Sequence, residues 1–224
     1  MAQIPNQYET ARQSMIDSQI HPMGVTSEKL LGAFSNVPRE DFVPEAMQGI
    51  CYCDEDIQIA QGRYLMEPSV LARMIEQAKP SADDVALTIG SGIGYHAAIL
   101  SSLVSTVIAL EENQELVTQA QAVWDGNGYV NIAGVEGALN EGWAKNAPYD
   151  LIIINGAVAD IPQVIKQQLN VGGRLIAPVK PKGQVIAKVT YVERINEDVF
   201  SDTVLFDSGT PYLSGFEPSK EFVF

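Results

Sequence analysis

Residues 85–95 read VALTIGSGIGY, and this stretch decides the fold. Val85–Ile89 is short and apolar enough for a strand buried on both faces. Glycines at 90, 92 and 94 then break the run, and Ala97, Ala98, Ile99 and Leu100 open an apolar helix. The alternation continues outward. A second strand is expected over 104–110, followed by a helix whose inner face is Leu116, Val117, Ala120, Val123 and Trp124. Strands over 130–135, 151–154 and 174–179 follow, the last preceded by a helix face of Val164, Ile165 and Leu169 closed by Gly172 and Gly173. Such a β-α-β-α order predicts an α/β chain with a mostly parallel, doubly wound sheet. Residues 184–192 and 199–206 are strand-like with no helix between them, which predicts an antiparallel hairpin at a C-terminal edge.

Upstream of residue 81 the pattern is helical with loops. Thr26 or Ser27 can cap a helix carrying Leu30, Leu31 and Phe34, which Pro38 ends. Residues 39–62 are expected as a loop-rich stretch. Pro68 starts a second helix with Val70, Leu71, Met74, Ile75 and Ala78 on one face. The chain therefore reads as a helical and loop extension, residues 1–80, packed on a main domain, residues 81–224, as one structural unit.

The 224 residues suffice for a sizeable core without staples. Lys and Arg total 14 against 28 Asp and Glu, a net charge of −14, which argues against nucleic-acid binding because that affinity depends on neutralising phosphates. The first twenty residues lack a signal-peptide core and no apolar run is long enough to span a bilayer, so a soluble, cytoplasmic protein is expected. Cys51 and Cys53, one residue apart in a segment read as extended, point to opposite faces and are expected as free thiols. With His21 and His96 far from them, no metal site is expected.

The glycine loop is the centre of the candidate chemistry. Glycines let the backbone turn sharply and approach a ligand, here at the carboxyl end of the first strand where open α/β sheets bind ligands. Glu111, at the end of the second strand, has the spacing of an acid that takes a ribose hydroxyl pair. The G-x-G-x-G spacing departs from the dinucleotide fingerprint and suits a nucleoside with an uncharged or cationic methionyl linker; a nicotinamide cofactor is the competing reading, and a tight turn without a ligand the structural one.

Several motifs carry a resemblance. Residues 24–46 read GVTSEKLLGAFSNVPREDFVPEA, with Val-Pro-Arg at 37–39 and Phe-Val-Pro at 42–44. To these are added IGSGIGY, the Gly142-Trp143 pair, APYDLIII at 147–154, and GGRL at 172–175 followed by Pro178 and Val179. Over nearly its whole length the chain resembles the protein-L-isoaspartate O-methyltransferase family. The resemblance implies the class I, Rossmann-like methyltransferase fold, S-adenosyl-L-methionine as cofactor, and methyl transfer to an isoaspartyl side-chain carboxylate in damaged proteins. It implies cofactor contacts from Gly90, Ser91, Gly92, Gly94, Glu111, Gly137 and Ala138, and a protein or peptide substrate. That carboxylate is already ionised at neutral pH, so no strong general base is required.

The chain departs from the family pattern at three positions. Met66 stands where the family has an active-site serine, Thr88 where it has an acid, and Ala138 where an aspartate receives the adenine amino group. These departures favour an alternative, a relative that has lost catalysis or cofactor binding and acts as a binding protein, or one that methylates a different acceptor. No catalytic residue is assigned. Arg63, Tyr64 and Glu67, around Met66, could form a different polar site but read first as a solvated loop. Ser69 follows the proline and is not promoted. Asn155 either faces the crevice or forms a turn; His96 is structural or solvent-facing, His21 a surface or loop residue, and Trp124 and Trp143 packing residues.

Overall fold

The computed structural model describes residues 7–218; the outermost parts of the two expected segments, 1–6 and 219–224, lie outside the described residues. Its centre is a seven-stranded sheet. The first strand of that sheet in sequence is β3 (Val85–Ile89), flanked in parallel by β4 (Thr106–Glu111) and β6 (Tyr149–Ile154). Beyond β4 lies β5 (Ile132–Glu136), and beyond β6 lies β7 (Leu169–Val179), both parallel to their neighbours. The antiparallel edge is β8 (Ala187–Arg194) and β9 (Phe200–Ser208). Chain order reverses direction between β3 and β6, which places a ligand crevice at the carboxyl ends of those two strands.

Four helices follow the sequence pattern. In α2 (Glu28–Asn36), the Ser27 side chain accepts from the Leu30 amide, so Ser27 rather than Thr26 is the cap. Helix α3 (Pro68–Ala78) starts on its proline and buries Val70, Leu71, Met74, Ile75 and Ala78. Helices α4 (Tyr95–Ser101) and α5 (Gln114–Asn127) connect the first parallel strands. A further helix, α1 (Gln7–Met15), precedes them. The core under the N-terminal helices is continuous with one face of the sheet: Phe34, Leu71, Ile99 and Ile153 belong to the same buried cluster. Fully burying each such side chain contributes on the order of 2 kcal/mol.

The structure corrects the sequence reading in places. Residues 39–62 are not simply loop: two short 3-10 turns, Arg39–Phe42 and Glu45–Ile50, lead to a separate antiparallel pair, β1 (Ile57–Ala60) and β2 (Arg63–Leu65), joined through Gly62 at φ +65°. Cys51 and Cys53 lie in a turn rather than an extended segment, and both are free. Burial pushes the Cys51 thiol up to about 11, so it stays protonated near neutrality. The helix expected to include Leu169 is only one turn, α6 (Gln163–Lys166); Leu169 pairs with Tyr149 and begins β7, which continues through Gly172 and Gly173. Val130 is exposed and lies before β5, because the first register pair to β4 in that strand is Val107 with Ile132.

Candidate active site

At the carboxyl end of β3 the chain turns on three glycines in the left-handed region, Gly90 at φ +77°, Gly92 at +56° and Gly94 at +92°. The amides of Gly90 and Ser91 both donate to Leu110 O, at 3.0 and 3.1 Å, fastening the loop to the end of β4. Ser91 is buried, and its Oγ lies 2.9 Å from Thr88 Oγ1. Thr88 is thus a buried hydroxyl partner of the loop, a role its type allows without charge. Asn155, beyond β6, donates from Nδ2 to Gly90 O at 2.9 Å, so it holds the loop and also lines the crevice. The indole Nε1 of Trp124 donates to Gly94 O at 3.1 Å; Trp124 is buried, as a packing residue should be.

Glu111 is 1 % exposed at the end of β4. One carboxylate oxygen, Oε2, accepts the Gly92 amide at 2.9 Å; the other accepts those of Glu112 and Asn113 at 2.9 and 3.2 Å. Sequence spacing thus brought the acid and the glycine loop together correctly. Gly137 joins them, its amide donating to Glu111 O at 3.0 Å, while Ala138 is exposed at the head of a short turn.

The carboxylate has a further partner. Arg63 on β2 is buried, and its Nε and Nη2 lie 2.8–3.0 Å from the Glu111 oxygens. Nη2 also donates to Glu112 at 2.7 Å. Burial alone would lower the guanidinium's pKa, but its bonds to Glu111 and Glu112 outweigh that and raise it. The reading of Arg63, Tyr64 and Glu67 as a solvated loop is therefore corrected: Arg63 and Leu65 are buried on one face of β2, and Tyr64 and Glu67 are half-buried. The pair was invisible locally because its members are 48 residues apart.

The rest of the crevice wall comes from both ends of the chain. A Cβ at Gly90 would lie 2.6 Å from the side chain of Leu213, and one at Gly92 would lie 2.8 Å from Ile59 Cδ1. The backbone around Leu213 is clipped to the loop after β6, with Leu213 N donating to Ala157 O at 2.9 Å and Ala157 N to Pro211 O at 2.8 Å. Beside it is a slit too narrow to hold a water molecule, lined by Asp56, Tyr64, Met66, Asn155, Thr210 and Tyr212 among others. Met66 is buried there, and its carbonyl accepts from Arg39. Lys180 donates to Thr210 O at 3.2 Å and sits 4.2 Å from the centroid of Tyr212. Its pKa is lowered by burial and partly restored by Asp56.

The chemistry of this set suits a nucleoside cofactor: a glycine loop, and an acid that can take a hydroxyl pair at the switch point of the sheet. Arg63 bonds Glu111, Ile59 lies on Gly92 and Leu213 on Gly90, so a nucleoside reaches those groups by displacing these side chains. Ser69 donates to Glu67, as a local helix-start contact. Trp143 is half-buried and bonded to Asn146; His21 is exposed. No group of acids, cysteines and histidines able to hold a metal occurs among the described residues, and none of their helices is long and apolar enough to cross a membrane.

His96 is buried in α4, and neither ring nitrogen has a hydrogen-bond partner among the described residues. Burial, with Arg39 nearby, lowers its pKa from 6.5 to about 3. The folded state therefore holds it neutral where the unfolded chain binds a proton. Stability should fall as pH drops from 6.5 toward 3, by up to about 1.4 kcal/mol per pH unit from this residue. Urea midpoints measured across that window check it; His96→Leu should flatten the slope, and an unchanged slope would contradict the assignment.

A model of the protein-L-isoaspartate(D-aspartate) O-methyltransferase family matches residues 10–206. The chain is 40% identical over 172 residues to the protein-L-isoaspartate O-methyltransferase of Desulfosudis oleivorans, covering 77% of this chain and 78% of that one. Identity to the Koribacter versatilis protein of the same name is 37% over 212 residues, covering 93% and 94%. Among solved structures, a protein-L-isoaspartate O-methyltransferase superposes with a TM-score of 0.78 at 23% identity, over 91% of this chain and 66% of that chain. A putative Plasmodium falciparum member, in complex with S-adenosyl-L-homocysteine, superposes at 0.76 with 16% identity, over 94% and 99%. The structural matches bear on the fold, which is that of class I methyltransferases. With a family model spanning residues 10–206 and relatives 40% and 37% identical over 77% and 93% of it, the chain belongs to the protein-L-isoaspartate O-methyltransferase family.

Proposed function

We propose that the chain is an S-adenosyl-L-methionine-dependent methyltransferase that esterifies isoaspartyl side-chain carboxylates in proteins. The observation that carries this is Glu111, buried beside the glycine loop at the sheet's switch point in a chain of this family. Gly90, Ser91, Gly92 and Gly94 would supply backbone to the cofactor, Glu111 its hydroxyl acceptor, and Gly137 with Ala138 the wall beyond. The cofactor supplies an electrophilic methyl group when bound. The chain's own task is to hold a carboxylate in line with it and keep water out.

The acceptor side in this reading is the slit lined by Met66, Asn155, Thr210 and Tyr212, which must widen to admit a carboxylate. Met66 offers no hydroxyl, so orientation of a carboxylate falls to the Asn155 amide and to the Lys180 ammonium, which touches Thr210 and Tyr212. Residues 1–80 act in this reading as an extension contributing Arg63, Met66 and the hairpin to a site built on residues 81–224. The setting is taken to be the cytoplasm.

Transfer of labelled methyl from S-adenosyl-L-methionine to an isoaspartyl peptide, with the aspartyl peptide as control, tests the reading. Incorporation specific to the isoaspartyl form is expected, falling at least about tenfold in Glu111→Ala, equivalent to a loss of about 1.4 kcal/mol of transition-state stabilisation. Equal labelling of both peptides, or none by folded protein that binds S-adenosyl-L-homocysteine, would overturn it.

A further inference from the structure

We propose that Arg63 is an internal occupant of the nucleoside end of the crevice and sets cofactor affinity by competing with the ribose hydroxyls for Glu111. The inference rests on the reading of that crevice as the cofactor site. A carboxylate offers about four lone-pair directions. Here Oε1 receives Glu112 N, Asn113 N and Arg63, and Oε2 receives Gly92 N and Arg63. The three amides belong to the backbone that shapes the site and cannot leave without dismantling it. Arg63 is the exchangeable partner, so a hydroxyl pair can reach Glu111 only by displacing its guanidinium.

The same element closes the apolar part of the crevice. Ile59, which lies on Gly92, is on β1, and Arg63 is on β2, so both blocks ride on one hairpin. That hairpin forms its own two-stranded sheet, separate from the seven-stranded one. Two strands alone have little stability of their own, and this pair is held over the loop by what its side chains grip. At its far end Ile57 and Leu65 sink into the main core; beside the glycine loop the grip is Arg63 on Glu111 and on Glu112, whose side chain is 45% exposed at the rim. Ser214 packs against Gly62 at the hairpin's turn, and Leu213 covers Gly90 beside it. Apparent affinity falls by the fraction of molecules whose site is open, so loosening Arg63 should raise it.

Calorimetric titration of the full chain with S-adenosyl-L-homocysteine tests this on wild type, Arg63→Gln and Glu112→Gln. Arg63→Gln removes the competitor, and binding should tighten about tenfold or more. Glu112→Gln removes only the outer anchor, is exposed enough to leave the fold intact, and should tighten binding by about threefold; it decides the matter should Arg63→Gln prove unstable. Affinities equal to wild type, or weaker in both variants, overturn the competition while leaving cofactor binding standing. No binding by any form at millimolar ligand overturns both the competition and the cofactor reading beneath it.

Discussion

Trp124→Ala is expected to lower the unfolding free energy by about 3–5 kcal/mol, the range for deleting a fully buried aromatic side chain. The indole is 1% exposed and packs against two glycines, Gly94 in the loop and Gly134 on β5, each without a side chain where the ring passes. A Cβ on Gly94 would lie 2.3 Å from the ring, so the glycine exists there for the tryptophan as much as for the turn. Backbone on two sides cannot collapse far into the void, which favours the upper part of the range. For a chain of this size the melting temperature should fall by roughly 10 °C. Trp124→Phe keeps most of the packing and removes the indole donor, while Gly94 O keeps the Ala98 amide at 3.1 Å, so it should cost about 1 kcal/mol. Calorimetric melts of both variants check this; a loss below about 1 kcal/mol for alanine would mean the core there repacks.

Arg39→Met is expected to cost about 3 kcal/mol, because it strands two buried carbonyls at once. Arg39 is 0% exposed; Nε donates to Cys51 O at 2.6 Å and Nη2 to Met66 O at 2.7 Å. The guanidinium also lies 4.9 Å from the Tyr95 ring centroid, and Tyr95 is the first residue of α4. One cation thus ties the turn after α2, the segment entering α3 and the helix that follows the glycine loop. Lysine cannot replace it, since a single ammonium lacks the planar fork that reaches two carbonyls while facing a ring. Arg39→Lys should therefore recover less than half of the loss in denaturant titrations; full recovery would show that charge rather than geometry matters.

Strands β3, β4 and β6, the glycine turn and the C-terminal hairpin could be read from the sequence because each is a local pattern: an apolar run, a punctuating glycine, a missing helix. Glu111 was legible for the same reason, being fixed by strand length after the loop. The hairpin at 57–65 was not, since IQIA and RYL are too short to show alternation and sit among acids that read as loop. Leu169 fits a helix by its apolar spacing; its pairing with Tyr149, a tertiary contact, decides for the strand. Arg63 had the composition of a solvated residue. Only the fold, by bringing β2 over the end of β4, turns it into the partner of Glu111. Leu213 and Ile59 likewise carry no motif, and their role as walls depends on where the chain passes.

Because the Trp124 ring lies against Gly94 and hydrogen-bonds to its carbonyl, the glycine loop carries its own optical probe. The chain's other tryptophan, Trp143, lies half-buried beside Lys145, whose Nζ is 4.8 Å from the ring centroid. Replacing Trp143 with phenylalanine would leave Trp124 the single tryptophan, excited alone at wavelengths beyond the tyrosine band. Its emission colour then reads the wetness of the loop directly: blue while the ring is sealed, redder in any state that lets water in.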